Sequence, residues 1–246
     1  MKLKVLGYQS PYPGYNQATL GYIIEDKQGT KVLLECGSGI VSSLQKWMEP
    51  AEIDAVFLSH YHFDHVADLG VLQYSFLMNQ LFHEPGKVIK VHGPSEPEDK
   101  ASQRVYKEVT TSVDIHEGAI HQVGNLTFTY FLTDHDGPCY GMIITEEDTT
   151  IIYGADSGNE TCWPIVTTVP DLVILESTYL DQDKNASVKH LSAKEAAEIA
   201  SALQAKRLLL THLYPKIDPQ RYYNEAKQYF SNELILPEKG LELILS

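Results

Sequence analysis

The sequence predicts an α/β sandwich, in which two β-sheets pack face to face and helices cover their outer surfaces. Apolar segments typical of strands and amphipathic segments typical of helices are interleaved twice along the 246 residues. Several strand-like segments follow one another without a helix between them, which does not fit a doubly wound single sheet. No window reads as a flexible linker and 43% of the residues are hydrophobic, so residues 1–246 are expected to form a single domain, or two halves fused without a linker.

The elements of the first half are assigned from apolar runs and from the residues that end them. They are strands at 3–6, 20–25 and 31–35, a helix at 40–47, a strand at 55–58, a helix at about 67–82, a strand at 88–92 and a helix at 98–109. The third strand ends in the turn Cys36-Gly37-Ser38-Gly39. The first helix ends before Pro50, because proline cannot continue a helix.

The second half repeats this alternation of strands and helices. It contains strands at 113–115, 126–132, 141–145, 150–153 and 172–175, a helix at 193–204, a strand at 207–210, a helix at 219–230 and strand-like residues at the end. The helix at 193–204 has the clearest start, since Ser192 can cap it and Glu195 completes a capping box.

The composition favours a small substrate over a long polymer. Nineteen Lys and Arg residues stand against 33 Asp and Glu residues, which gives a formal net charge of −14. A protein that holds long nucleic acid usually carries a basic face, and the sequence has no Lys/Arg run. No apolar run approaches the roughly 20 residues needed to cross a bilayer, and the first residues do not read as a secretory signal. The three cysteines are scattered, so a cytoplasmic location without membrane contact is expected.

The strongest chemical signal is the segment Ser-His-Tyr-His-Phe-Asp-His at 59–65. It places four metal-capable side chains within six positions directly after a predicted strand: His60, His62, Asp64 and His65. His60 and His62 point to the same side if the chain is extended there, because side chains alternate along a strand. The last two residues follow the turn and can face a second point, which suits a pair of neighbouring cations.

Three later strands run directly into further ligand-type residues. The strand at 126–132 is followed by His135, the strand at 150–153 by Asp156 and the strand at 207–210 by His212. Loops at one edge of a sheet collect ligand and catalytic groups because rigid strands aim them. The repeated placement predicts that these residues meet the cluster at 60–65.

The run His-x-His-x-Asp-His at 60–65, followed in order by His135, Asp156 and His212, resembles the metallo-β-lactamase superfamily over essentially the whole chain. The resemblance implies a four-layer αββα sandwich of two mixed sheets, with helices on both outer faces and two divalent metal ions at one edge. Zinc is the expected metal, with manganese or iron as alternatives. The resemblance further implies that one ion binds to His60, His62 and His135, the other to Asp64, His65 and His212, and that Asp156 bridges the two. Glu35 stands where many relatives carry Asp, and it is expected to support the ligands from behind.

Two segments resemble ribonuclease Z and related phosphodiesterases of that superfamily. Lys189-His190-Leu191-Ser192 resembles their histidine segment, and Leu175-Glu176-Ser177-Thr178 resembles the acidic partner segment. The resemblance implies a catalytic set of Asp64, His190 and Glu176, in which His190 is a phosphate-contacting acid oriented by Glu176. An imidazole can protonate an alkoxide near neutral pH, and a neighbouring carboxylate favours its charged form.

The substrate is less well determined than the site. Ribonuclease Z enzymes that process transfer RNA carry a long protruding arm, whereas the corresponding region here, residues 157–170, is too short to form one. We therefore expect a small phosphodiester, such as a cyclic nucleotide or a cyclic sugar phosphate. The alternatives are an RNA-processing nuclease of the ribonuclease Z type, which would make nucleic acid a partner, a carboxylic ester or thioester hydrolase, and a non-catalytic metal-stabilised scaffold. A homodimer is expected from the resemblance alone.

Overall fold

The structure, a computed structural model, describes residues 1–83, 86–185 and 187–245. Within these residues the chain forms two seven-stranded sheets that pack face to face. Helices cover the outer surface of each sheet, so the predicted four-layer αββα sandwich of two mixed sheets is confirmed. Among the described residues, no helix combines the length and the apolar composition needed to span a membrane.

Fourteen strands build the two sheets. In chain order they are β1 (Lys2–Gly7), β2 (Gly21–Glu25), β3 (Lys31–Leu34), β4 (Ala55–Phe57), β5 (Ile89–Pro94), β6 (Thr110–Ile115), β7 (Ile120–Val123), β8 (Leu126–Leu132), β9 (Tyr140–Glu146), β10 (Thr149–Tyr153), β11 (Leu172–Glu176), β12 (Arg207–Thr211), β13 (Glu233–Ile235) and β14 (Glu242–Ile244). The helices are α1 (Ile40–Leu44), α2 (Phe63–Val66), α3 (Leu69–Phe82), α4 (Glu98–Ala101), α5 (Ala193–Ala202) and α6 (Pro219–Ala226). Short 3₁₀ turns lie at Pro50–Glu52, Ser102–Arg104 and Asp181–Asp183.

The two sheets share one pattern of strand directions. The first has the order β14-β1-β2-β3-β4-β5-β6 and the second the order β13-β12-β11-β10-β9-β8-β7. Each sheet contains three antiparallel pairs and three parallel pairs; the antiparallel pairs come first in the order given for the first sheet and last in that given for the second. Strands β8, β10, β11 and β12 therefore run in the same direction, so the loops that follow them emerge at one edge of the second sheet.

The core explains why the apolar strand residues alternate. In β2 and β3, Tyr22 and Leu34 face the interior between the sheets, whereas Ile23 and Leu33 pack into a second core beneath the helices of the first half. This follows from the two-residue period of a strand. Across the interior, the ring of Phe57 in β4 stacks on that of Phe128 in β8 at a centroid distance of 3.9 Å.

The predicted helix at 98–109 is wrong in its second half. The α-helix ends at Ala101, a 3₁₀ turn follows, and Val105 is extended. The cause is Arg104, whose buried guanidinium donates hydrogen bonds to the backbone carbonyls of Gly93 and Val113, at 3.0 and 2.6 Å, and pairs with Asp114. These bonds tie the chain to β5 and β6, which a continued helix could not reach.

Several other elements also differ from the prediction, including the helices expected at 40–47 and 219–230, which end at Leu44 and Ala226. The helix expected at about 67–82 is preceded by a separate turn of helix, α2, and β7 was not predicted. The alternation in β7 is weak because its side chains are only half-buried or exposed. The capping box of α5 is present as expected, since the amide of Glu195 donates to Ser192 Oγ at 3.2 Å and the amide of Ser192 donates to Glu195 Oε2 at 2.7 Å.

His92 in β5 is a buried imidazole outside the proposed site. Its ring stacks on Phe57 at 4.1 Å, and neither ring nitrogen has a hydrogen-bond partner among the described residues. Burial lowers the pKa of His92 to about 3, and the neighbouring His121 adds to this shift. The unfolded chain binds a proton at this position below pH ~6.5. The stability that depends on neutral His92 is therefore complete above that pH and is lost as the pH falls towards 3.

We predict that His92→Phe makes the protein less sensitive to acid. Between pH 7 and pH 5, protonation of the unfolded chain at His92 should lower the free energy of unfolding by about 2 kcal/mol. Urea denaturation at both pH values should show this loss in the wild type and a correspondingly smaller loss in the variant. His116→Gln removes an exposed imidazole and should keep the wild-type pH dependence. Equal pH dependence in the wild type and His92→Phe would contradict the prediction.

Candidate metal centre

The predicted ligands meet at one edge of the sandwich. His60, His62, His135 and Asp156 form one group, and Asp64, His65 and His212 form a second. Within each group the potential ligand atoms all lie within 4.8 Å of one another. Asp64 and His65 lie in α2, and the others lie in the loops that follow β4, β8, β10 and β12, so the structure brings together all seven residues selected from the sequence.

Asp156 lies between the two groups. Its Oδ1 atom is 3.2 Å from His65 Nε2 and 3.3 Å from His212 Nε2. Its Oδ2 atom is 3.6 Å from His60 Nε2 and 3.6 Å from His135 Nε2. One carboxylate oxygen therefore faces each group, which is the arrangement that a bridging ligand requires.

The donor atoms fit divalent cations. Four of them are buried without a hydrogen-bond partner among the described residues: His60 Nε2, His65 Nε2, His212 Nε2 and Asp156 Oδ1. Buried polar atoms without partners are costly, so several at one place indicate a missing ligand. Neighbouring ligands of a tetrahedral ion with bonds of about 2.1 Å are about 3.4 Å apart, close to the spacings around Asp156. His62 is exposed, but its Nδ1 atom lies 3.1 Å from His135 Nε2, within the same range.

Three of the imidazoles are held through their Nδ1 atoms. His212 Nδ1 lies 2.7 Å from Thr178 Oγ1, and His60 Nδ1 lies 3.0 Å from Ser59 Oγ. His135 Nδ1 lies 3.4 Å from the carbonyl oxygen of Lys189. Such contacts fix the ring orientation and leave Nε2 for a metal.

Glu35 supports His65 in the same way. Its buried carboxylate lies 3.4 Å from His65 Nδ1 and accepts hydrogen bonds from the Ser59 amide and the Tyr153 hydroxyl. The backbone of Glu35 has a left-handed φ of 61°, and Ala155 and His212 adopt similar values. Non-glycine residues in this conformation are strained and cluster at functional sites.

Charges at the site are strongly coupled. Burial opposes ionisation of Asp156, but the imidazoles of His212 and His65 outweigh it and hold the pKa of this carboxyl well below its usual range. Burial likewise disfavours a proton on His212, but Asp156 and Asp64 outweigh it and raise the pKa of His212 to about 10. A proton on His212 and a metal ion therefore compete for the same carboxylates.

His190 and Glu176 form a second feature beside these groups. His190 Nδ1 lies 2.9 and 3.1 Å from the two carboxylate oxygens of Glu176, and its ring stacks beside that of His212 at 5.2 Å. Burial disfavours the charged imidazole, but Glu176 outweighs it and raises the pKa of His190. The carboxylate also accepts hydrogen bonds from the Ser157 amide at 2.7 Å and from Thr178 Oγ1 at 2.5 Å. The pair is thus pre-oriented, with His190 Nε2 left for a substrate.

Sequence reasoning missed two residues that position this site. Ser10 Oγ donates a hydrogen bond to Asp64 Oδ2 at 2.7 Å, and Thr178 Oγ1 connects Glu176 to His212. Thr178 lies in the segment that identified Glu176, so its nearness to the site could have been inferred. Ser10 carries no such signal, because it is 54 residues from Asp64 and a lone serine in a loop is common.

Comparisons with known proteins agree with this geometry. The family profile described as a β-lactamase superfamily domain matches residues 30–213. YhfI of Bacillus subtilis, described as a probable metallo-hydrolase, is 32% identical over 241 residues, which cover 98% of each chain. Its crystal structure superposes with a TM-score of 0.92 at 30% identity, again over 98% of each chain.

Two more distant proteins also match over most of their length. Ribonuclease Z of Methanopyrus kandleri is 24% identical over 264 residues, covering 93% of this chain and 92% of that protein. A diphosphatase of the PhnP family has a TM-score of 0.74 at 16% identity, covering 99% of this chain and 97% of that one. This last similarity shows a common fold.

Proposed function

The chain belongs to the metallo-β-lactamase superfamily of metallo-hydrolases, and we propose that it is a dinuclear metal-dependent phosphodiesterase acting on a small substrate. The observation that carries the proposal is the contact, at 2.9 Å, between half-buried His190 and buried Glu176 beside the two ligand groups. Hydrolysis of a carboxylic ester at a dinuclear site does not require such an acid, whereas departure of an alkoxide from phosphorus benefits from one.

Under this proposal the seven residues of the two ligand groups hold two divalent cations, with Asp156 shared between them. Zinc is the expected metal, and manganese or iron are alternatives because the donors are imidazoles and carboxylates. When bound, the cations would supply a water of lowered pKa and positive charge for the phosphoryl oxygens.

The remaining steps belong to side chains of the protein. His190 is proposed to donate the proton on its Nε2 atom to the departing oxygen, while Glu176 keeps the imidazole oriented and favours its charged form. Ser10 holds Asp64, which we assign to both the ligand set and the catalytic set. General acid help of this kind contributes about 10²–10⁴-fold to a rate.

A small substrate is supported by the shape and charge of the chain. The connection between β10 and β11, residues 154–171, contains no helix or strand, and all of it is described. It therefore provides no arm of the kind that grips transfer RNA. The net charge of −14 also disfavours a long polyanion. A cyclic nucleotide and a cyclic sugar phosphate both meet these conditions.

Three substrates test the proposal: a phosphodiester, a carboxylic ester and a thioester. Bis(p-nitrophenyl) phosphate should be hydrolysed by the zinc- or manganese-loaded protein, and chelation should abolish the activity. A p-nitrophenyl carboxylic ester and a thioester should be poor substrates. Faster hydrolysis of either ester than of the phosphodiester would contradict the proposal.

An RNA-processing nuclease is the second candidate, because a relative matched over 92% of its length is a ribonuclease Z. Release of the 3′ trailer from a precursor transfer RNA at a rate above that for small phosphodiesters would favour it.

A homodimer also stays a proposal, and it is supported by α3. This helix contains no charged residue, and four of its large apolar side chains are more than half exposed: Val71, Tyr74, Leu81 and Phe82. Exposed apolar side chains on an uncharged helix suit a contact with another protein surface. Sedimentation velocity should show a dimer that Leu81→Glu dissociates, and a monomeric wild type would contradict the proposal.

Thr178 is predicted to control metal affinity. Its hydroxyl group donates its one proton to Glu176, so it can only accept a hydrogen bond from the N–H at His212 Nδ1. With Nδ1 protonated, the lone pair of the neutral His212 ring lies on Nε2. Thr178→Val keeps the shape but removes this acceptor, and we expect zinc affinity to fall by about 10–100-fold, as for other supporting residues. Competition with a chromophoric chelator measures the affinity. Thr178→Ser keeps the hydroxyl group and should have the zinc affinity of the wild type. Wild-type zinc affinity in Thr178→Val would show that Thr178 does not support metal binding.

A further inference from the structure

Two neighbouring clefts lie beside the metal centre. The smaller, of about 240 Å³, includes His60 and His62 in its wall. The larger, of about 500 Å³, lies between α2 and the start of α3 on one side and the 3₁₀ turn at Ser102–Arg104 on the other. Tyr61 and Lys100 line both clefts, so the two clefts adjoin each other at these side chains. The size of the larger cleft falls within the roughly 300–1,000 Å³ typical of small-molecule sites.

The larger cleft is apolar and aromatic. Its lining includes Phe63, Val66, Leu69, Val105 and Tyr106. Phe63 is 76% exposed although it stands next to two proposed ligands in the sequence, so its ring is open to a partner. The lining also includes Tyr61, Gln73, Lys100 and Gln103. None of the described residues that line this cleft is acidic, in a chain with a net charge of −14.

Lys100 stands where the two clefts join. Its ammonium lies 5.6 Å from the centre of the Phe63 ring, and it forms no ion pair with any carboxylate in the described ranges. Lys189, which is also close to the metal centre, is instead paired with Asp134 at 3.3 Å. An unneutralised cation between the ligand groups and an aromatic cleft suits a substrate whose negative charge and flat ring are close together.

We propose that the two clefts bind the nucleoside part of a small phosphodiester. The phosphate lies at the metal centre, its charge faces Lys100, and the base rests against Phe63 and the apolar wall that includes Tyr106. The inference rests on the proposed function and selects a nucleotide over a sugar phosphate. A bare sugar phosphate has no flat apolar surface to bury, whereas every base has one that stacks on aromatic side chains.

The test compares two substrates of the metal-loaded protein, adenosine 3′,5′-cyclic phosphate and a cyclic ribose phosphate without a base. We expect kcat/KM to be at least about tenfold higher for the nucleotide. In Phe63→Ala the ratio of the two kcat/KM values should fall about tenfold, towards one, which is within the range expected for losing one base–aromatic stack. Phe63 adjoins His62 and Asp64, so its replacement could also disturb metal binding. Tyr106→Ala, at the far wall of the cleft, therefore serves as a second variant, and metal content is measured in both.

Tyr229 provides the matched control. It is a 40% exposed aromatic residue that packs near Lys194 and lines neither cleft, so Tyr229→Ala should leave the substrate ratio unchanged. Equal kcat/KM values for the two cyclic substrates, or a wild-type ratio in both cleft variants, would overturn this inference while leaving the phosphodiesterase proposal intact. No hydrolysis of bis(p-nitrophenyl) phosphate or of either cyclic substrate would instead overturn the proposed function, and this inference with it.

Discussion

Replacing Asp156 with alanine is expected to remove at least one cation and to lower phosphodiesterase turnover by more than about 10²-fold. Each carboxylate oxygen of Asp156 faces one ligand group, at 3.2–3.3 Å on one side and 3.6 Å on the other. Residues that merely support ligands typically change metal affinity or activity by 10–100-fold, so a shared ligand should exceed that range. Elemental analysis after dialysis measures the metal content.

Asp171→Asn is the matched control for this variant. Asp171 is also a buried aspartate, but it binds the Thr150 amide and Lys206 at the start of β11, outside both ligand groups. The Asp171→Asn variant should retain the full metal content. Circular dichroism of Asp156→Ala shows whether the variant is folded, and so distinguishes a specific loss of metal from a loss of the fold. Two retained cations in a folded Asp156→Ala protein would contradict the bridging role.

Replacing His190 with alanine should preserve the metal content but lower turnover by about 10²–10⁴-fold on substrates that release an alkoxide. The reason is that Glu176 orients His190 through Nδ1, at 2.9 Å, and holds a proton ready for the departing oxygen. Substrates that release p-nitrophenolate should be affected much less, because this anion is a weak base and leaves without a proton. Steady-state kinetics on both substrate types measures the difference.

His116→Ala removes an exposed histidine away from the ligand groups and should leave turnover on both substrate types unchanged. An equal loss on both substrate types in His190→Ala would assign His190 to binding instead of proton donation. Unchanged turnover on the alkoxide-releasing substrate would remove His190 from the mechanism.

The sequence predicted the fold and the meeting of the ligands because both follow from short-range patterns. Apolar runs mark the strands, and a ligand-type residue directly after a strand, as His135 follows β8, must lie at the edge where that strand ends. Since β8, β10 and β12 run in the same direction, His135, Asp156 and His212 meet at one edge. The roles of these residues as ligands stay predictions until metal is measured.

The features that sequence analysis missed depend on contacts between distant residues. Ser10 reaches Asp64 across the edge of the sandwich, and Arg104 ends a helix early because its guanidinium binds carbonyls of two strands. Neither contact leaves a local signal. The cleft beside Phe63 is also a product of packing, because it forms only where α2, α3 and the turn at 102–104 come together.

The proposed function requires two cations at one sheet edge, and anomalous diffraction at the zinc edge from crystals grown with zinc tests for them directly. We predict two peaks per chain. One should lie among His60, His62 and His135 and the other among Asp64, His65 and His212, with an oxygen of Asp156 beside each. A single peak, or peaks outside these two groups, would contradict the dinuclear centre.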